Sequence, residues 1–512
     1  MEKLPLGIQS FREIREEEYL YIDKTQAIFT LIERGKYYFL SRPRRFGKSL
    51  TISTIKALFQ GEKELFRGLW IENKWDWSVV HPVIHISFSS IGYQDMGLKK
   101  ALEKVLDDIA ESYRIELRNT TLDQKFKELL KALAEQEKRK VVLLIDEYDK
   151  PLIDYLDELP SAKENQKALK IFYSIIKDSD PYIQFLLITG VSKFSKVSVF
   201  SDLNNLEDIT IDRRFSTLTG YTQTELENYF EEYLQEVGHF QNLDREVLLD
   251  RIRTWYNGYS WDTRNFVYNP FSILSFFNRA EFQNFWFSTG TPTFLVKLLE
   301  KRHMYQFENV QVGTVAFDSY SLEHLETVPI LFQTGYLTLK MKDEYGVYTL
   351  DYPNKEVKDA MLQHLIAVYS AKDAAHTTPL VVQLRMAFSK NDLEEVISII
   401  KTLFKNIPSQ IFLNKAEAYY HSLIYLLFKY LGSYVESEVN SSDGRLDAVV
   451  QTSSHVYIFE FKLDKSVEQA LTQMKRKDYA AKFRHSRKQL IGVGINFDSQ
   501  LKSVENWTAI EL

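Results

Sequence analysis

The chain has 512 residues, 45% of them hydrophobic and 14% aromatic, which is enough for packed cores in two to four domains and leaves little room for disorder. A formal net charge of −6 excludes a global positive field, so a nucleic-acid surface has to be a local basic patch. The absence of cysteine excludes disulfides, thiolate metal ligands and cysteine nucleophiles, and apolar runs such as Val141–Ile145 and Phe185–Ile188 are too short to cross a bilayer.

Met1–Ser10 lacks the apolar core of a signal peptide, so the sequence predicts a soluble, cytoplasmic protein with no membrane partner. The first elements in the chain are a Tyr21-Ile22-Asp23-Lys24-Thr25 segment and a strand at Tyr37–Leu40. The strand runs into Arg42-Pro43-Arg44-Arg45-Phe46-Gly47-Lys48-Ser49, and a helical run, Ser49–Phe59, follows. A turn ending in Gly-Lys-Ser at a helix start presents backbone amides to phosphate. In this reading Gly47 shapes the turn, Lys48 reaches the β- and γ-phosphates, and Ser49 supplies a hydroxyl to Mg²⁺. The usual loop pattern has glycine where Arg42 stands, a departure that leaves Gly47, Lys48 and the helix terminus in place. Arg42, Arg44 and Arg45 add positive charge. A basic surface turn before a helix is the plainer alternative. Tyr21–Thr25 is placed to cover a nucleotide base, or equally to cap a helix through Asp23 or Thr25.

Further strands are predicted at Val83–Phe88, Val141–Ile145 and Ile183–Thr189, separated by helical segments, which is the alternation of a mostly parallel sheet covered on both faces. Asp146 follows the buried strand directly and is placed to hold the same Mg²⁺ as Ser49, and Glu147 to orient an attacking water. Thr189 and Ser192, at the end of the next strand, are candidate γ-phosphate sensors. Arg213 and Arg214 are candidate arginine fingers, although adjacent arginines more often face solvent. This first domain is expected over 1–220, followed by a helical lid over 221–290 and a helix-rich connector over 291–408 with a hairpin at Tyr336–Tyr348. The turn-rich aromatic segment Asn257–Asp262, with Tyr268-Asn269-Pro270-Phe271 after it, reads as core more readily than as a stacking platform for bases.

After a break at Asn406-Ile407-Pro408, residues 409–512 form the last expected domain. Two strand-like runs, Arg445–Gln451 and His455–Leu463, flank Thr452-Ser453-Ser454. A two-residue loop at Ser453-Ser454 sets Asp447 opposite Glu460, with Lys462 on the same face. Facing carboxylates are destabilising unless a cation bridges them, and oxygen ligands suit Mg²⁺ or Mn²⁺. An ordinary cross-strand ion pair on a half-exposed hairpin is the alternative. Glu417, on a helix over Ala416–Tyr430, could complete the metal site, whereas His421 on the same face reads as core. A helix over Ser466–Phe483 carries Gln473, Tyr479 and the chain's strongest local basic run, a plausible DNA backbone contact.

Taken together, Tyr21–Thr25, Tyr37–Leu50, Leu144–Lys150, Thr189–Phe200, Asn204–Thr210, Gly220–Leu226, Trp255–Trp261, Ala418–Ile424, Gly444–Asp447, Phe459–Lys462 and Gln473–Tyr479 resemble a bacterial family. In it an N-terminal AAA-ATPase-like domain is fused to a C-terminal PD-(D/E)XK nuclease-superfamily domain, and Arg-Pro-Arg-Arg-Phe-Gly-Lys-Ser is the family's form of the phosphate loop. The resemblance implies an α/β P-loop NTPase domain with helical lid and connector, then a small α/β PD-(D/E)XK-type domain. It implies Asp447, Glu460 and Lys462 as the nuclease-type core, with Glu417 the acidic residue of its first helix. The leading expectation is an ATP-binding and hydrolysing protein, able to form a homo-oligomer, whose nucleotide state controls a metal-dependent nuclease-like domain acting on DNA. The second is an ATP-dependent signalling or scaffold switch with a catalytically inactive nuclease-like module. ATP hydrolysis alone, as a motor or remodeller, ranks last.

Overall fold

The computed structural model describes every residue except 194–198, 287–298, 300–305, 318–325, 371–376, 405–415, 433–435, 443–444 and 502, and leaves undescribed the side chains of 315, 369, 416–419, 421, 436–442, 445–447 and 482. The chain divides into two compact units, Met1–Gly290 with Phe307–Glu356, and Thr291–Gln306 with Val357–Leu512.

In the first unit, β1 (Tyr37–Ser41), β2 (Val83–Ser87), β3 (Val141–Asp146), β4 (Ile183–Gly190) and β5 (Glu207–Asp208) form a parallel sheet in the order β2-β3-β4-β1-β5. Every residue of β1 and β3 is buried, as expected of central strands covered on both faces. Helices Lys48–Phe59, Leu98–Ser112, Leu122–Glu137 and Leu159–Asp178 run between the strands. The last two meet through stacked rings of Phe126 and Phe172, 4.4 Å apart. Strand order has a functional consequence: β4 lies between β1 and β3, so Thr189 at its end falls between the loop after β1 and Asp146 at the end of β3.

Four helices follow, Gln223–Tyr229, Glu231–Gln241, Arg245–Tyr256 and Pro270–Arg279. The first starts with a reciprocal capping box between Thr222 and Glu225, and the last with proline in its first turn and the Asn269 side chain accepting from the Ser272 amide. Their shared core includes Leu226, Phe230, Leu248, Ile252 and Phe276, and it takes in Leu20 and Ile22 from the segment before the phosphate loop. The expected hairpin forms from β7 (Thr338–Lys342) and β8 (Tyr348–Asp351), joined by β6 (Val310–Val312) in the order β6-β8-β7.

The expected connector over 291–408 is not a body of its own. Residues 307–356 belong to the first unit, while helices Thr377–Ser389 and Leu393–Phe404 belong to the second. Their aromatic anchors show why: Phe388 packs 5.1 Å from Tyr457 and Phe404 packs 5.0 Å from Phe497, so both helices complete the core of the C-terminal sheet. That sheet contains β9 (Glu436–Ser442), β10 (Arg445–Gln451), β11 (His455–Leu463), β12 (Gln489–Asp498) and β13 (Ser503–Glu511) in the order β13-β12-β11-β10-β9. Only the β11–β12 pair is parallel, and helix Val467–Arg476 supplies its crossover. This helix ends earlier than expected, because Asp478 turns left-handed at φ 48° before a short 3₁₀ turn at Tyr479–Phe483.

Candidate nucleotide site and candidate metal centre

The chain leaves β1 through Arg42 and enters helix Lys48–Phe59 at Gly47, whose φ is 84°. A β-carbon there would meet nothing within 4 Å, so glycine is required by backbone conformation rather than by space. Arg45 and Glu147 also take positive φ, 68° and 56°, a costly state for residues with a β-carbon.

Lys48 is buried, and its ammonium donates to the carbonyls of Arg42 and Pro43, each at 3.0 Å. Burial pushes its pKa down, opposed first by the nearby Asp146 and then by Glu147. The Ser49 hydroxyl donates to one oxygen of Asp146 at 2.5 Å and the Thr189 hydroxyl to the other at 2.5 Å. Three elements distant in sequence therefore meet on one buried carboxylate. Burial also raises the pKa of the half-buried Glu147 next to it.

Asp149 has no place in the sequence reading, yet it organises the β4 end of the site. It is buried, accepts from the amides of Val191 and Ser192, and takes the Ser192 hydroxyl at 2.7 Å. Ser192 is thus committed to Asp149, while Thr189 reaches Asp146. The signal was present in Asp146-Glu147-Tyr148-Asp149: a second aspartate one turn beyond a strand end is suited to gathering loop amides. Gly190 makes the approach possible, since a β-carbon there would sit 2.6 Å from the Tyr148 ring and 2.8 Å from an Asp149 oxygen.

Arg42 does not add charge to the phosphate side. It is wholly buried, donates to the carbonyls of Ser41, Thr210 and Phe215, and stacks 4.0 Å from the Trp261 ring. Burial lowers its pKa to about 9, still far enough above neutrality to keep it charged. Phe46 packs edge-on against Tyr259 and Trp261 at 4.8 and 5.3 Å, so these buried aromatics grip the loop. Neither Arg213 nor Arg214 lines the cavity beside the loop; both are exposed, and Arg214 pairs with Asp212 and Glu207.

That cavity measures about 400 Å³. Its lining includes Arg45, Gly47, Lys48, Ser49 and Glu147 together with Tyr21, Ile22, Ile28, Leu218, Tyr221 and Leu274. Neither Asp23 nor Thr25 is the helix N-cap, which is Lys24 without a side-chain cap bond; Asp23 instead accepts from the Thr25 amide and hydroxyl, and Tyr21 and Ile22 line the cavity. Lys48, a helix-opening Gly47 turn and hydroxyls of Ser49 and Thr189 converging on Asp146 are a donor set that fits a triphosphate with a hard cation.

In the second unit, Asp447 pairs with Glu460 across β10 and β11. Glu460 is fully buried and ion-paired to Lys462, whose ammonium also donates to Gln473 at 3.0 Å. A half-exposed hairpin does not describe this place. The side chains of Asp447, Glu417 and His421 lie outside the described residues, and among the described residues no group of three His, Cys, Asp or Glu could hold a metal. Carboxylates on facing positions of a strand pair remain a donor chemistry suited to Mg²⁺ or Mn²⁺. Lys475, Arg476 and Lys477 are exposed at the end of the adjacent helix.

No helix among the described residues is long and apolar enough to cross a membrane. Residues 5–200 match the family model described as a predicted AAA-ATPase, and residues 415–507 match that of the PD-(D/E)XK nuclease superfamily. A protein of Azotobacter chroococcum mcd 1, named "Uncharacterized protein in vnfD 5'region", is 40% identical over 517 residues, covering 98% of each chain. A parallel sheet with Asp146 at the end of β3 and Lys48 opening the helix after β1, a C-terminal sheet pairing Asp447 with Glu460 and a relative matched over 98% of each chain leave one assignment: the chain belongs to the family that joins an N-terminal AAA-ATPase-like domain to a C-terminal PD-(D/E)XK nuclease-superfamily domain.

Proposed function

We propose that this protein binds and hydrolyses ATP, and that its nucleotide state controls a metal-dependent nuclease-like domain acting on DNA. The observation that carries the first half is the meeting of the Ser49 and Thr189 hydroxyls on Asp146, with Lys48 and Ser49 themselves lining a cavity that Tyr21, Ile22 and Leu274 also line. In this reading Lys48 exchanges its two carbonyl partners for β- and γ-phosphate oxygens, and the amides of the Gly47 turn close around them. Mg²⁺, when bound, neutralises charge on the phosphates. Ser49 and Asp146 would hold it, with Thr189 fixing the orientation of Asp146. Glu147 orients the attacking water, and burial raises its pKa, which makes it a stronger proton acceptor. Tyr21 and Ile22 receive the base.

In the second unit, Asp447, Glu460 and Glu417 are the residues that would hold Mg²⁺ or Mn²⁺, and Lys462 stabilises charge developing on a phosphodiester. The exposed Lys475, Arg476 and Lys477 contact the DNA backbone. Calorimetric titration of ATP in magnesium buffer tests the nucleotide reading: saturable heat lost in Lys48→Ala supports it, and silence from the wild-type protein refutes it. Plasmid cleavage with and without ATP then tests control. The second reading, a switch with an inactive module, draws on the internal satisfaction of Lys462 by Glu460 and Gln473. An ATP-induced change in mass without cleavage of DNA or RNA would favour it.

A further inference from the structure

The carboxylate of Glu356 is wholly buried at the start of helix Lys355–Ser370. One oxygen accepts from the amides of Phe285 at 2.6 Å and Trp286 at 2.7 Å, and the other from the Ser272 hydroxyl at 2.7 Å. Three donors from two segments thus converge on one side chain, and each segment continues to the phosphate loop. Ser272 follows Phe271, whose ring lines the nucleotide cavity and lies 5.0 Å from the Arg45 guanidinium. Trp286 donates its indole N–H to the Arg44 carbonyl at 3.1 Å. Consecutive loop residues are therefore held by two arms that share a single anchor.

The neighbouring contacts say that this part of the loop is shaped from outside. Arg45 holds its φ of 68° in the left-handed region, which a non-glycine residue keeps only where its surroundings impose it. A β-carbon on Gly335 would lie 2.7 Å from the Pro43 side chain, so the backbone just before β7 packs closely on the loop as well. A buried carboxylate is a poor way to gain stability, because an apolar residue of similar size avoids its desolvation. Gathering partners from two segments, by contrast, needs a side chain with two polar atoms.

We propose that Glu356 is a positioning residue for the nucleotide cavity: by tying Ser272 to Phe285 and Trp286 it holds Arg44 and Arg45 in the shape that receives phosphate. The inference rests on the nucleotide reading above and adds a residue more than 300 positions beyond the phosphate loop. Glu356 touches no phosphate and acts only through its two arms.

The test is titration of a fluorescent ATP analogue, with magnesium, into the full chain carrying Glu356→Ala, Glu356→Gln or, as a control, Leu234→Ala. Glu356→Ala is expected to weaken binding by about tenfold or more, equivalent to about 1.4 kcal/mol. The glutamine variant keeps an oxygen for the two amides and turns an NH₂ toward Ser272, whose hydroxyl can accept; its affinity should stay within about threefold of wild type. Leu234 is buried in the helical core and does not line the cavity, so Leu234→Ala should lower the thermal midpoint and leave affinity unchanged. Equal affinity of Glu356→Ala and wild type overturns the inference, as does an equal loss in Leu234→Ala at matched thermal midpoint. Should Glu356→Ala not fold, Trp286→Phe keeps a ring while removing the donor to Arg44; about threefold weaker binding supports the inference and unchanged affinity overturns it. A wild-type protein that binds no nucleotide removes the nucleotide reading itself, and this inference with it.

Discussion

Replacing Arg42 by glycine restores the usual first residue of a phosphate loop, and the structure requires that this restoration harm the protein. Three carbonyls, those of Ser41, Thr210 and Phe215, would lose their charged donor, each such bond contributing roughly 1.5–3 kcal/mol. The guanidinium's stacking on Trp261 contributes about 2 kcal/mol more, and glycine adds about 1 kcal/mol of backbone entropy to the cost of folding. Against this, the guanidinium no longer has to be dehydrated, which returns several kcal/mol. The losses sum to roughly 7.5–12 kcal/mol against a return of several, so the balance is a loss of at least about 3 kcal/mol, which with a slope of about 3 kcal/mol per molar lowers the urea midpoint by at least about 1 M. Intrinsic fluorescence is a suitable assay, because six of the seven tryptophans, all but Trp507, lie in the first unit and Trp261 touches Arg42 itself. Nucleotide affinity should fall with stability, since Lys48 is placed by the Arg42 and Pro43 carbonyls. A glycine variant with the wild-type midpoint and equal or tighter nucleotide binding would refute the assignment of Arg42 to packing.

Three further outcomes are expected. Glu147→Gln should retain ATP binding while hydrolysis, followed by phosphate release, drops by about 100-fold or more, as removal of a positioned proton acceptor does. Glu356, pushed up to about 7 by burial from an ordinary 4.5, keeps a proton in the folded state that the unfolded chain has already released. Its contribution to stability therefore falls as pH rises from about 4.5 to about 7, by at most about 1.4 kcal/mol per pH unit, and is flat outside that window. Denaturation midpoints across this range should show that slope in wild type relative to Glu356→Gln. In the second unit, Lys462→Ala strips the cation from a fully buried carboxylate and should lower that unit's stability by about 3 kcal/mol in hydrogen-exchange or calorimetric measurements. Glu460→Gln keeps the volume, so it should abolish metal-dependent DNA cleavage at a smaller cost in thermal midpoint. Cleavage that survives both substitutions would remove these residues from the chemistry.

The parts of this molecule legible from sequence are those fixed by local periodicity. Alternation of apolar strands with amphipathic helices gave the parallel sheet. The two-residue pleat fixed the pairing of Asp447 with Glu460, because a slip by one position would have turned Val456 and Ile458 out of the core. What stayed hidden depends on partners far along the chain. Thr210 and Phe215 lie 168 and 173 residues from Arg42, and nothing within Arg42–Ser49 says that the first arginine points backward to them. The split of residues 291–408 was equally illegible. Helices Thr377–Ser389 and Leu393–Phe404 have apolar faces that fit any neighbour, and only Phe388 against Tyr457 and Phe404 against Phe497 reveal which sheet they cover.

These hidden contacts explain how a phosphate loop can dispense with its first glycine. Glycine serves such a loop by letting the backbone turn sharply and approach phosphate closely. Here Gly47 alone keeps that task, and side chains fix the remainder: Arg42 on Trp261, Phe46 between Tyr259 and Trp261, Arg44 through Trp286 and Arg45 against Phe271. A glycine-rich loop can settle around its ligand independently of distant residues. A loop held by Tyr259, Trp261, Phe271 and Trp286 cannot move without moving these residues. In this protein those residues, from Tyr259 to Trp286, include the first turn of helix Pro270–Arg279 and the partners of Glu356, so a loop that rearranges must displace them by direct contact. Loop sequence and these aromatics therefore form one mechanical part, and conversion of Arg42 to the commoner glycine should loosen both together.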